Sequence, residues 1–152
     1  MIPAFDDGVL PDGMHSCTFE EVAERFGQFD RSDRRCLLTA ALKQYLAEVK
    51  RLGFATAVLI DGSYVTTKPE PNDIDLILMV REAHSLEGEM LPSRYNTISP
   101  RMVRKRFGLD IRAVLPESPE YFGLVELFSK VRPADPIFGT RRRPKGLVRI
   151  EL

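Results

Sequence analysis

The stretch D-I-D-L-I-L-M-V at residues 73–80 constrains the fold more than any other part of the chain. Its apolar run suits a buried β-strand, and side chains alternate across a strand. Asp73 and Asp75 therefore fall on one face, and Ile74, Leu76, Leu78 and Val80 fall on the other, where they can fill a core. Two carboxylates about 7 Å apart on one strand repel each other. They make structural sense at the mouth of a buried strand when a cation lies between them, and hard cations such as Mg²⁺ take carboxylate oxygens and substrate phosphates.

The chain around this strand reads as alternating helices and strands. Residues 1–17, rich in Pro, Gly and Asp, read as an irregular arm. Thr18-Phe19-Glu20-Glu21 is a capping box for a short helix ending near Phe26, with Gly27 as its stop. Ser32 or Asp33 caps a second helix, whose Leu38, Leu42, Tyr45, Val49 and Leu52 step by three and four along one face before Gly53. Residues 54–60 suit a buried strand and Asp61-Gly62-Ser63 a turn. Residues 81–98 are polar and poorly patterned, with at most a short element. Ser99-Pro100 starts a helix stopping near Gly108, residues 109–115 form a strand, and Ser118-Pro119 starts a helix to about Lys130. That last helix has Phe122, Val125 and Phe128 as its apolar positions. Residues 131–145 are a Pro- and Arg-rich loop, and residues 146–152 suit a short final strand. The class is α/β or α+β, a small mixed sheet packed with helices. A length of 152 residues points to a single domain.

Bulk properties exclude several classes. Cys17 and Cys36 lack metal-site or disulfide-framework spacing. The first ten residues include Asp6 and Asp7 and no apolar run, unlike a signal peptide. No apolar stretch approaches the roughly 20 residues of a membrane helix, so no membrane partner and a cytoplasmic location are expected. The zero net charge hides a split, because Asp and Glu dominate residues 1–92 while Lys and Arg dominate residues 93–152. Such a split hints at an anionic partner, or at acidic and basic segments folding against each other.

Two further features join the paired aspartates. Asp110 opens an otherwise apolar strand, so three carboxylates converge if the two strands are neighbours. That is the ligand set of a two-metal site. Gly62-Ser63 follows a strand at a turn, where backbone N–H groups and a hydroxyl can approach a phosphate closely.

Gly62-Ser63, nine residues, then Asp73-Ile74-Asp75-Leu76 resembles the signature of the nucleotidyltransferase superfamily that includes polymerase β and the small bacterial nucleotidyltransferases. Asp61 departs from that pattern, which usually has an apolar residue there. The opening I-P-A-F-D-D-G-V-L-P-D-G-M-H, the central G-S-Y-V-T-T-K-P-E-P-N-D-I-D and the closing K-G-L-V-R-I-E-L also look like one uncharacterised bacterial family of that fold. The resemblance implies a nucleotidyltransferase fold. It implies that Gly62 and Ser63 hold the phosphates of a nucleoside triphosphate, and that Asp73, Asp75 and Asp110 bind Mg²⁺ or Mn²⁺. Asp110 would also help deprotonate an acceptor hydroxyl. The acceptor would be RNA or protein, and some small members act as toxins or with a cognate partner protein in toxin–antitoxin pairs.

Other candidates are less specific. Lys68 lies within the motif's loop, within reach of a phosphate or simply solvated. Arg141, Arg142, Arg143 and Lys145 form a basic run suited to phosphate or nucleic acid. Arg101, Arg104, Lys105 and Arg106 sit around one helix, and cations at its C-terminal end favour its dipole. His15 and His84 read as surface residues. Two other readings compete with an enzyme. One is an inactive module of the same fold that binds nucleotide or protein, and the other is an RNA-binding protein using the basic C-terminal third.

Overall fold

A computed structural model describes residues 1–28, 32–81, 84, 86–131 and 143–152. The capping box forms as the sequence implies. The backbone N–H of Glu21 donates to Thr18 Oγ1 at 3.2 Å, and the N–H of Thr18 donates to Glu21 Oε2 at 2.8 Å. These bonds start helix α1, Phe19–Phe26. Helix α2, Arg34–Leu52, ends at Gly53, whose left-handed backbone (φ 68°) suits glycine. Strand β2 is Ala55–Asp61, β3 is Asp75–Val80, α3 is Pro92–Ile98 and α4 is Pro100–Phe107. Then come β4, Asp110–Val114, α5, Pro119–Phe128, and β5, Leu147–Glu151.

The arm does not remain irregular throughout. Met14–Ser16 forms strand β1, which pairs in parallel with β5. Asp6 and Val9 bridge across a tight turn with positive φ at Asp7 and Gly8. The five strands lie in the order β1-β5-β2-β3-β4. The β5–β2 and β2–β3 pairs are antiparallel, and β3–β4 is parallel. The sheet is therefore mixed, as expected.

Alternation divides the sheet into two faces. Val58, Ile60, Leu76, Leu78, Val80, Ile111, Val148 and Ile150 form one core with residues of α1, α2, α3 and α4. Ala57, Leu59, Ile77, Met79, Val114 and Leu147 form a second cluster, covered by Tyr121, Leu124, Val125 and Phe128 of α5. Phe122, expected on the apolar face of that helix, is instead 58% exposed. The reason is geometric, since Tyr121, Leu124, Val125 and Phe128 already occupy the stripe at spacings of three and four. Among the described residues, no helix is long and apolar enough to cross a membrane.

Candidate functional site

β2 ends on Asp61, and β3 and β4 begin on Asp75 and Asp110. The register sets Asp61 opposite Asp75 and Asp75 beside Asp110. Residues directly opposed across strands project from the same side of a sheet. The three carboxylates thus stand in a row on the α5 face, in line with Leu59, Ile77 and Val114 of the second cluster. The row contains Asp61, which the sequence reading placed in a turn and left out of the site. Its signal was present, because it lies two residues beyond Leu59 on the same strand face and directly precedes Gly62-Ser63.

Asp73 departs from its expected place. The strand begins at Asp75, not at Asp73. The physical reason is that the ladder partners run out: β2 stops at Asp61, and β4 starts at Asp110, whose N–H donates to Ile74 O at 3.0 Å. Asp73 Oδ2 instead accepts a bond from Arg104 Nη1 of α4 at 2.9 Å.

Gly62 couples the turn to the strand. Its backbone (φ 81°, ψ −165°) is a region only glycine adopts readily. A Cβ there would stand 2.0 Å from Asp75 Oδ2 and 3.0 Å from Asp75 Cγ. The Asp75 carboxylate therefore lies against the Gly62 backbone. Ser63 opens a single 3₁₀ turn, Ser63–Val65, closed by bonds from the Thr66 N–H and hydroxyl to Ser63 O at 3.3 and 2.7 Å.

A cleft opens over this turn. Its lining combines Asp61, Gly62, Ser63, Thr66, Lys68 and Asp75 with Val9 of the N-terminal arm, with Leu127 and Phe128 of α5, and with Lys130, Val131 and Lys145. The structure thus brings together Gly62, Ser63, Lys68, Asp75 and Lys145 from the expected set. Asp110 lies one strand away in register, and Asp73 faces Arg104 instead.

The electrostatics are pairwise. Lys145 Nζ lies 2.8 Å from Asp61 Oδ1, with side chains 11% and 5% exposed. A pair this buried is costly to break, because removing one partner leaves an uncompensated charge. Asp110 Oδ1 accepts from Arg112 Nη1 at 2.7 Å, an exposed contact. Arg143 reaches the N-terminal turn, with Nη1 3.4 Å from Asp7 Oδ2 and Nη2 donating to Asp7 O at 2.5 Å. The two described members of the basic run, Arg143 and Lys145, are therefore engaged within the molecule, while Arg141 and Arg142 lie outside the described residues. His15 is half-buried rather than a free surface residue, and its Nε2 lies 2.7 Å from Pro11 O. His84 Nδ1 lies 3.1 Å from Arg94 Nη1. Among the described residues, no three His, Cys, Asp or Glu side chains gather closely enough to cage a metal as they stand.

The chain belongs to the Family of unknown function (DUF6932), whose model matches residues 3–151. No curated protein and no solved structure matches it.

Proposed function

We propose that this chain is a metal-dependent nucleotidyltransferase, moving a nucleoside monophosphate from a nucleoside triphosphate to an RNA or protein acceptor. The observation that carries this reading is the Asp75 carboxylate packed on Gly62, in register with Asp110, beside a cleft walled by Lys68, Lys130 and Lys145. Carboxylates next to a lysine-lined cleft suit a polyphosphate that carries its own divalent cation.

The donor set fits such a group. Asp73, Asp75 and Asp110 offer hard oxygens, Asp61 stands opposite Asp75 in the row, and the exposed arginine partners of Asp73 and Asp110 can exchange onto phosphate oxygens. Bound Mg²⁺ or Mn²⁺ would supply charge neutralisation on the triphosphate and on the attacking oxygen. The chain's own residues do the rest. Gly62 lets the backbone approach the phosphates, and Ser63 donates its hydroxyl. Lys68 and Lys145 balance the negative charge of the pyrophosphate group. The acceptor oxygen attacks the α-phosphorus, a P–O bond forms, the bond to the bridging oxygen breaks, and pyrophosphate leaves. Asp110 receives the acceptor's proton. Catalysis of this kind rests on positioning and electrostatics. A cytoplasmic toxin–antitoxin or defence role, with a cognate partner protein, belongs to the same reading.

A second reading is a catalytically inactive module of the same fold that binds nucleotide or protein. It is favoured by the ion pairs Asp73–Arg104, Asp110–Arg112 and Asp61–Lys145, which satisfy carboxylates without a metal. One experiment separates the two. The melting temperature is measured with Mg²⁺ and each of the four nucleoside triphosphates, in the parent and in Asp75→Asn. A ligand at a hundredfold excess over Kd stabilises the folded state by about 2.7 kcal/mol. The transferase reading expects a metal-dependent rise with at least one nucleotide that Asp75→Asn loses. A rise that needs no metal and survives Asp75→Asn favours the module, and no rise with any nucleotide rejects nucleotide use by the chain alone.

A further inference from the structure

Helix α2 opens with two consecutive arginines, against local preference. Cations in the first turn oppose the helix dipole, typically at about 0.3–1 kcal/mol each. Asp33 makes no compensating side-chain cap. Their reason is tertiary. Arg35 is fully buried, and its guanidinium donates to four backbone carbonyls. Nη1 reaches Phe26 O at 2.9 Å and Tyr64 O at 2.7 Å, and Nη2 reaches Thr66 O at 2.8 Å and Lys68 O at 2.6 Å. Nε also donates to Lys68 O, at 3.2 Å. Arg34 continues the row, with Nε donating to Pro71 O at 3.1 Å and Nη2 to Asn72 O.

Together the two side chains bind carbonyls at 64, 66, 68, 71 and 72, along nearly the whole link from Gly62-Ser63 to Asp73. A guanidinium has five donors in a rigid planar fork, whereas a lysine ammonium has three from a single point. Only arginine can hold alternate carbonyls of one strand of loop in this way. Burial pushes the Arg35 guanidinium down to about 10, so it remains charged at neutral pH.

We propose that Arg35, assisted by Arg34, is a positioning residue that pre-forms the loop from 62 to 72, so that Ser63 and Lys68 meet a ligand's phosphates already in place. With carbonyls 64, 66 and 68 drawn to the guanidinium, the peptide planes are fixed before a ligand arrives. Without that restraint, binding carries the cost of ordering the loop. The functional half of this inference rests on the polyphosphate reading of the cleft. The structural half does not.

The test uses Arg35→Lys, with Val49→Ala as a control that opens a cavity in the same helix at a buried side chain. Two quantities are read: amide hydrogen exchange of residues 62–72, and binding of inorganic tripolyphosphate with Mg²⁺ by calorimetry. In Arg35→Lys, exchange in 62–72 should rise about tenfold or more beyond the change elsewhere, as local opening becomes easier. Tripolyphosphate affinity should fall by about tenfold, while Val49→Ala, even if equally destabilised, changes neither by more than about twofold. A folded Arg35→Lys chain with parent-like loop exchange overturns the proposal. So does unchanged affinity in a parent that binds. If the parent binds no tripolyphosphate, the polyphosphate reading fails and loop exchange alone decides the role of Arg35. Should Arg35→Lys not fold, Arg34→Gln takes its place, and selective loosening of 70–73 supports the clamp while its absence overturns it.

Discussion

At the residue scale, Gly62 is the hinge of the candidate site. Two independent constraints meet there, a backbone region reserved for glycine and the Asp75 carboxylate where a Cβ would be. Gly62→Ala is expected to cost about 1–3 kcal/mol from backbone strain alone, and more from displacing Asp75. Gly53→Ala makes the comparison clean, since Gly53 also has positive φ but nothing within 4 Å of its would-be Cβ. Thermal unfolding should show Gly62→Ala as the more damaging change, and equal losses would remove the steric argument. The placement of Gly62, Ser63, Asp75 and Asp110 was legible in the sequence, because local spacing sets a residue at a turn or at the start of a strand. Asp61 and Lys145 were harder to place. Their meeting depends on β2 lying between β3 and β5, a pairing that no local pattern encodes.

Element-scale arguments centre on α2. Its apolar stripe was readable from spacing, and Leu38, Leu42, Tyr45 and Val49 are all buried. The polar work of the helix was not readable. Tyr45 is fully buried, its ring meets Phe107 of α4 edge-on at 5.5 Å, and its hydroxyl donates to Thr97 O of α3 at 2.8 Å. Burial pushes that hydroxyl's pKa upward, so it stays a protonated donor. Tyr45→Phe keeps the ring and leaves the Thr97 carbonyl without this donor, an expected loss of about 1–3 kcal/mol in denaturant unfolding. A loss below a few tenths would mean that another donor replaces the hydroxyl. Capping shows the opposite balance, because Thr18 and Glu21 satisfy each other within four residues and were read correctly from sequence. α3 was foreseen only as a short element in a polar excursion, since it gains order by packing against α2 and α4 rather than from its own pattern.

Across the whole molecule, the arm and the charge split are the two long-range features. The arm belongs to the core: Val9 and Leu10 are 3% and 1% exposed, and Thr67 N–H donates to Gly8 O at 3.0 Å. Gly146 packs so tightly on the arm that a Cβ would fall 2.2 Å from Pro11 O. Leu10→Ala should therefore cost about 2–5 kcal/mol, like other buried leucines. Leu37→Ala, at a side chain 64% exposed on α2, should stay within about 0.5 kcal/mol. Similar losses for both would detach the arm from the core. The acidic and basic halves meet in pairs, Asp7 with Arg143, Asp61 with Lys145, Asp73 with Arg104 and Glu48 with Arg106. Much of the charge asymmetry is thus internal complementarity. What the amino-acid sequence determined by itself was local: caps, helical stripes, the alternation of β3, and a glycine-serine turn at a set distance from strand aspartates. Those depend on neighbours within a few residues, where backbone geometry repeats. Only the tertiary structure decided that Asp61 joins the row, that Asp73 precedes the strand and pairs with Arg104, that Lys145 pairs with Asp61 and that Arg35 holds the loop. Each of these is a contact between distant segments, set by strand order and burial.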